Sequence, residues 1–147
     1  MVELELIAAA WVCTLLILLG IGTSMFRLSG AYSSKGPGTT DPDSMPAAIQ
    51  RAHGNLAEWA GAFSTLCVLS SSIGLGRSGI LADVAGYLAV IAAAGVTLHR
   101  ASMIVFGQRQ FHWSKMLGFS CFYLGMTFLA VRVMVSLATG ASVGGFA

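Results

Sequence analysis

The run LELIAAAWVCTLLILLGIGTSMF, from Leu4 to Phe26, contains a single charged residue, Glu5, and no proline. At 1.5 Å per residue such a segment is long enough to cross the roughly 30 Å of hydrocarbon in a bilayer, which takes about 20 apolar residues. A secretory signal would begin with Lys or Arg and carry a shorter apolar core. Here Glu3 and Glu5 lead a long one, so the segment reads as a retained first helix. Three further stretches have the same character: Ala47 to Ile73, Ile80 to Phe106 and Met116 to Ala138. With their flanking turns they predict helices over about 4–26, 46–73, 80–106 and 115–138, an all-α bundle of four transmembrane helices. The whole chain, 1–147, reads as a single domain.

Composition points the same way. The 147 residues are 56% hydrophobic and 10% charged, against about 25% charged in an average soluble domain. So few charges cannot clothe a water-soluble surface of this size, and the expected solvent is lipid. A net charge of +2, with no basic tract, gives no footprint for nucleic acid. Cys13, Cys67 and Cys121 each lie in an apolar run, odd in number and without CxxC spacing. They read as small buried apolar residues rather than as a disulfide framework or a metal site. No P-loop, dinucleotide fingerprint, HExxH or nucleophile elbow occurs.

Between the helices, residues 29–46 are rich in Gly, Ser, Thr, Asp and Pro, which is loop chemistry. Asp43 or Ser44 is placed to cap helix 2, with Pro46 in its first turn. Residues 74–79 form a tight turn in which Ser78 is placed to cap helix 3, and Asp83 lies near the positive end of that helix dipole. A third loop, Gly107 to Ser114, is polar and aromatic, and Phe111, His112 and Trp113 read as an interfacial belt.

Arg27, Lys35, Arg51, Arg100, Arg109 and Lys115 fall in or beside the first and third loops, whereas only Arg77 lies in the second. The excess of positive charge on the cytoplasmic side of membranes therefore predicts loops 1 and 3 inside and both termini outside. The acidic start and the lack of a retention signal point to a bacterial inner membrane. Arg132 stands apart, deep in helix 4. It either snorkels outward or turns into the bundle toward an acidic or carbonyl partner. Small residues at 92–95, together with Gly118 and Gly125, predict close helix packing.

One polar cluster interrupts the apolar pattern, the segment RAHGNLAE from Arg51 to Glu58. At about 100° per residue, Arg51, Asn55 and Glu58 fall within roughly 60° of one another, and His53 points away. A cation, an amide and a carboxylate on one stripe are too costly to face lipid. They either hold helices together by hydrogen bonds or line a site for a charged, polar small molecule.

This segment, with the Pro- and Asp-containing loop before it, resembles the helix-2 signature of the membrane-associated proteins of eicosanoid and glutathione metabolism, the MAPEG family. The resemblance implies a four-helix bundle assembling as a homotrimer, with glutathione as co-substrate bound between subunits near the cytoplasmic side. It implies glutathione-binding roles for Arg51, Asn55 and Glu58, and for His99, which matches the histidine of the family's helix-3 pattern. Its arginine and tyrosine in that pattern are here Val96 and Met103. Family members place an Arg, a Ser and a Tyr near the start of helix 4, the Arg stabilising the thiolate. Here Arg109 matches, while Gln110 and Trp113 stand where the Ser and Tyr would be. Arg100, beside His99, is a second candidate for thiolate stabilisation, since a guanidinium favours the reactive anion.

The expected function is joining or reducing lipophilic small molecules with glutathione, the lipophilic partner arriving from membrane lipid. The alternative is a non-catalytic subunit or accessory protein of a larger membrane complex. A haem held by His53 and His99 is a third reading, with no spacing motif behind it.

Overall fold

The computed structural model describes residues 4–28, 44–73, 80–107 and 111–139. The fold is all-helical: α1 (Leu4–Leu28), α2 (Met45–Ser72), α3 (Ile80–Phe106) and α4 (Trp113–Ala138). Three of the four, α1, α3 and α4, are long and apolar enough to cross a membrane. The sequence reading expected four. At 28 residues α2 has the length, but Gln50, Arg51, His53, Asn55 and Glu58 dilute the apolar character of its first half.

Helices α1 and α2 run antiparallel, so that Gly20 meets His53 near one end and Glu5 meets Ser70 near the other. Helices α3 and α4 do the same, with Gly95 against Gly118 and Ala92 against Gly125. Trp11 and Thr97 join α1 to α3, the indole N–H donating to the threonine oxygen at 2.9 Å. Helix α2 packs more lightly on α3 and α4.

The buried face of α2 is Ala48, Ala52, Leu56, Ala60, Phe63, Cys67 and Ser70, steps of three and four that keep one stripe turned inward. Helix α4 answers with Gly118, Phe122, Gly125, Leu129 and Val133. The two stripes meet at Phe63 and Phe122, whose ring centroids are 5.7 Å apart. The expected close packing of small residues appears on the α3–α4 seam. A β-carbon on Gly118 would stand 2.5 Å from the Gly95 carbonyl oxygen, and one on Gly95 would stand 2.8 Å from that of Gly118. With no water between helices in lipid, such backbone contact is a main source of association.

The helix ends depart from expectation in detail. Ser44 stands at the N-cap of α2 in extended backbone, yet its hydroxyl makes no cap bond and is buried without a partner among the described residues. The Ser44 carbonyl instead accepts from Ala48 N at 3.0 Å. Asp43 and Ser78 lie outside the described residues. Helix α4 begins at Trp113, earlier than the apolar pattern suggested, because His112 caps it, Nδ1 accepting from Ser114 N at 3.4 Å. His112 also stacks on Phe106, with centroids 3.8 Å apart. Gly107, at φ 69°, takes the left-handed conformation that ends α3. Of the three cysteines, Cys67 is buried and Cys121 half-buried, but Cys13 is exposed rather than part of the core, at the edge of the α1–α2 seam with its sulfur 3.5 Å from the Ser64 hydroxyl.

Arg132 turns into the bundle. Its Nη1 lies 3.2 Å from Glu5 Oε1 and donates to the Ser70 hydroxyl. Both ion-pair members are nearly buried, so the pair ties the start of α1 to α4 across α2.

Candidate functional site

A cavity of about 210 Å³ opens between α2, α3 and α4, toward the end of the bundle that carries loops 1 and 3. Asn55, Glu58 and Trp59 reach it from α2; Val96, His99 and Arg100 from α3; Phe119, Phe122 and Tyr123 from α4. Helical spacing explains the convergence. Asn55, Glu58 and Trp59 are three and four residues apart, as are Val96, His99 and Arg100, and as are Phe119, Phe122 and Tyr123, so each helix presents one short stripe.

Arg100 is the unusual member. It is only 5% exposed, its Nη1 donates to the Met103 sulfur at 3.6 Å, and its Nε is buried without a partner among the described residues. Glu58 is near enough for its charge to act on it, but no carboxylate closes an ion pair with it among the described residues. A buried guanidinium left in this condition carries an uncompensated desolvation cost that an anionic group in the cavity would offset.

His99 is held by its Nδ1, 2.9 Å from the carbonyl oxygen of Lys115 in the first turn of α4. The approach of the helices here is set by Gly118, where a β-carbon would stand 2.7 Å from His99 N. Aromatic rings complete the wall: Trp59 meets Tyr123 edge-on at 5.4 Å, and Phe119 lies 4.4 Å from Tyr123 and 6.0 Å from His99. Glu58, Trp59 and Phe119 are exposed, so the mouth of the cavity faces sideways, between α2 and α4.

Of the residues singled out in the sequence, Asn55, Glu58, His99 and Arg100 come together in this cavity. Arg51, one turn nearer the loop, is half-buried and not among the lining residues. Arg109 and Gln110 lie outside the described residues. Trp113 is 64% exposed and away from the cavity. His53 packs against Gly20 of α1, at a shallow hollow on the outer face of the bundle, so it does not pair with His99. The sequence reading missed Trp59, Phe119, Phe122 and Tyr123. Their signal was available: an aromatic next to Glu58, and a run of aromatics three and four apart on the face that begins at Gly118.

Compared with known proteins, the chain matches no protein family, no curated protein and no solved structure.

Proposed function

We propose that this chain is a four-span membrane protein whose lateral cavity binds glutathione and presents its thiol to lipophilic substrates, which it conjugates or reduces. The observation that carries this reading is Arg100, a buried cation with no ion-pair partner among the described residues, in one cavity with a carboxylate, an amide and an imidazole. Glutathione supplies what those groups lack. It has carboxylates and a thiolate for guanidinium groups and an ammonium for Glu58, and its amides suit Asn55. Arg51 adds positive charge at the same end of α2.

The size of the cavity supports a site shared between copies. Ligand pockets usually measure roughly 300 to 1,000 Å³, whereas a single protomer offers about 210 Å³ here, open at the side. The resemblance of the Arg51 to Glu58 segment to the MAPEG signature supports a homotrimer in which a neighbouring subunit closes that side. A lipophilic substrate then arrives through the bilayer and meets the Trp59, Phe119 and Tyr123 wall, while the polar thiol comes from water.

A binding-only role has one observation in its favour. Trp113 stands where the family has its tyrosine, and it is exposed outside the cavity. Calorimetry with glutathione on the purified protein, followed by turnover of an aryl halide, separates the two. Binding with conjugation supports the enzyme, and binding without it supports the module. Arg100→Met is expected to weaken binding at least tenfold, the equivalent of about 1.4 kcal/mol. The same change removes an uncompensated buried charge, so the melting temperature should hold or rise. Absence of glutathione binding at millimolar concentration sinks the reading altogether.

A further inference from the structure

The hydrogen bond from His99 to Lys115 fixes more than a ring orientation. A carbonyl oxygen only accepts, so the His99 nitrogen facing it, Nδ1 at 2.9 Å, must carry the hydrogen. In the neutral ring Nε2 is then the bare nitrogen, with a lone pair able to take a proton. Nε2 makes no hydrogen bond among the described residues, and it is not one of the buried polar atoms that lack a partner. His99 is one of the residues lining the cavity, and Nε2 is the ring nitrogen left for a bound group there.

The charged and titratable groups around the ring come from all three helices: Glu58 on α2, Arg100 on α3, and Lys115 and Tyr123 on α4. The cavity thus holds a ring nitrogen that is bare in the neutral form and a buried guanidinium with no ion-pair partner among the described residues. That is the arrangement needed to split an acidic S–H or O–H and keep the anion.

We propose that His99 is the general base of this site, its Nε2 removing the proton from the bound thiol while Arg100 holds the resulting thiolate. The inference rests on the glutathione reading above. In the step, the S–H bond breaks, its electron pair stays on sulfur, and the proton forms the Nε2–H bond of an imidazolium. No oxidant or further reactant takes part. Gly118 serves as a positioning residue, because the close approach of α3 and α4 puts the Lys115 carbonyl within reach of Nδ1.

The test uses the full-length protein in detergent with glutathione and with S-methylglutathione, which has no proton to give. The thiolate ultraviolet band of bound glutathione is followed against pH in native protein and in His99→Gln, whose side-chain amide can still donate to Lys115. Both proteins are compared at saturating ligand, with S-methylglutathione measuring any change in affinity separately from the loss of the base. The thiolate band of bound glutathione should appear at a higher pH in His99→Gln than in the native protein, because the ring nitrogen that takes the proton is gone. An unchanged pH midpoint for the band overturns the proposal while leaving glutathione binding intact. Failure of both ligands to bind the native protein overturns the binding reading and this proposal with it. Magnetic resonance of isotope-labelled histidine in the native protein gives an answer independent of the variant. A hydrogen on Nδ1 and a bare Nε2 are expected, and a bare Nδ1 or a doubly protonated resting ring overturns the assignment.

Discussion

Two arginines in this bundle show how differently a buried guanidinium behaves with and without a partner. Arg132 meets Glu5 at 3.2 Å and donates to Ser70, so its charge is answered inside the protein. Arg100 donates to the Met103 sulfur and makes no ion pair among the described residues, which is why the proposed ligand is placed there. The first pair is consequently a stability device. Glu5→Gln strands Arg132 in a low-dielectric setting, and removing one member of a buried pair costs roughly 3 to 5 kcal/mol. Replacing both with Glu5→Gln and Arg132→Met removes the stranded charge, so the double variant should unfold at a higher temperature than Glu5→Gln alone. Thermal unfolding in detergent reads this directly. A double variant less stable than the single one would show that the tie is not electrostatic. The sequence placed Arg132 deep in its helix but not its partner, because Glu5 lies at the far end of the chain and only the folded bundle brings α1 and α4 together.

Elements were more legible than their contacts. Apolar runs bounded by Gly, Pro and Ser mark the four helices, because a membrane-length helix leaves a long signal in composition. Asn55 and Glu58 were legible for the same reason, since polar residues at helical spacing in an apolar segment must share a face. Trp59 and Tyr123 were not, because an aromatic on a helix in lipid reads the same whether it lines a cavity or faces the bilayer. What joins the helices rests on the glycine seam. Gly118→Ala puts a β-carbon 2.5 Å from the Gly95 oxygen and 2.7 Å from His99 N, where backbone rather than a flexible side chain must yield. The cost of such overpacking is about 1 to 3 kcal/mol. The same shift pulls the Lys115 carbonyl away from His99, so Gly118→Ala should lower the melting temperature and reduce conjugation together. Gly54→Ala, where a β-carbon meets nothing within 4 Å, is the control. It should leave the seam intact and gain up to about 1 kcal/mol of helix propensity.

At the scale of the whole molecule the question is what covers the outer face of α2. Gly54, Ala57, Glu58, Gly61, Ala62 and Thr65 are exposed there, small residues around one carboxylate at the mouth of the cavity. Facing lipid, an ionised Glu58 would be expensive and the small residues would pack poorly. Facing another copy of the chain, both become assets, since small residues let helices approach and the carboxylate gains polar neighbours. The proposed homotrimer therefore makes a prediction separable from folding. A β-carbon on Gly61 meets nothing within 4 Å inside the protomer, so Gly61→Leu should leave the helical content and the glycine seam undisturbed. Between copies the added bulk should force the α2 faces apart. Native mass spectrometry from mild detergent is expected to find three copies for the native chain and single copies for Gly61→Leu, with glutathione affinity reduced in step because the open side of the cavity is no longer closed. Trimers that persist in Gly61→Leu would move the subunit contact to another helix, and full affinity in a single copy would mean that the cavity is complete within one chain.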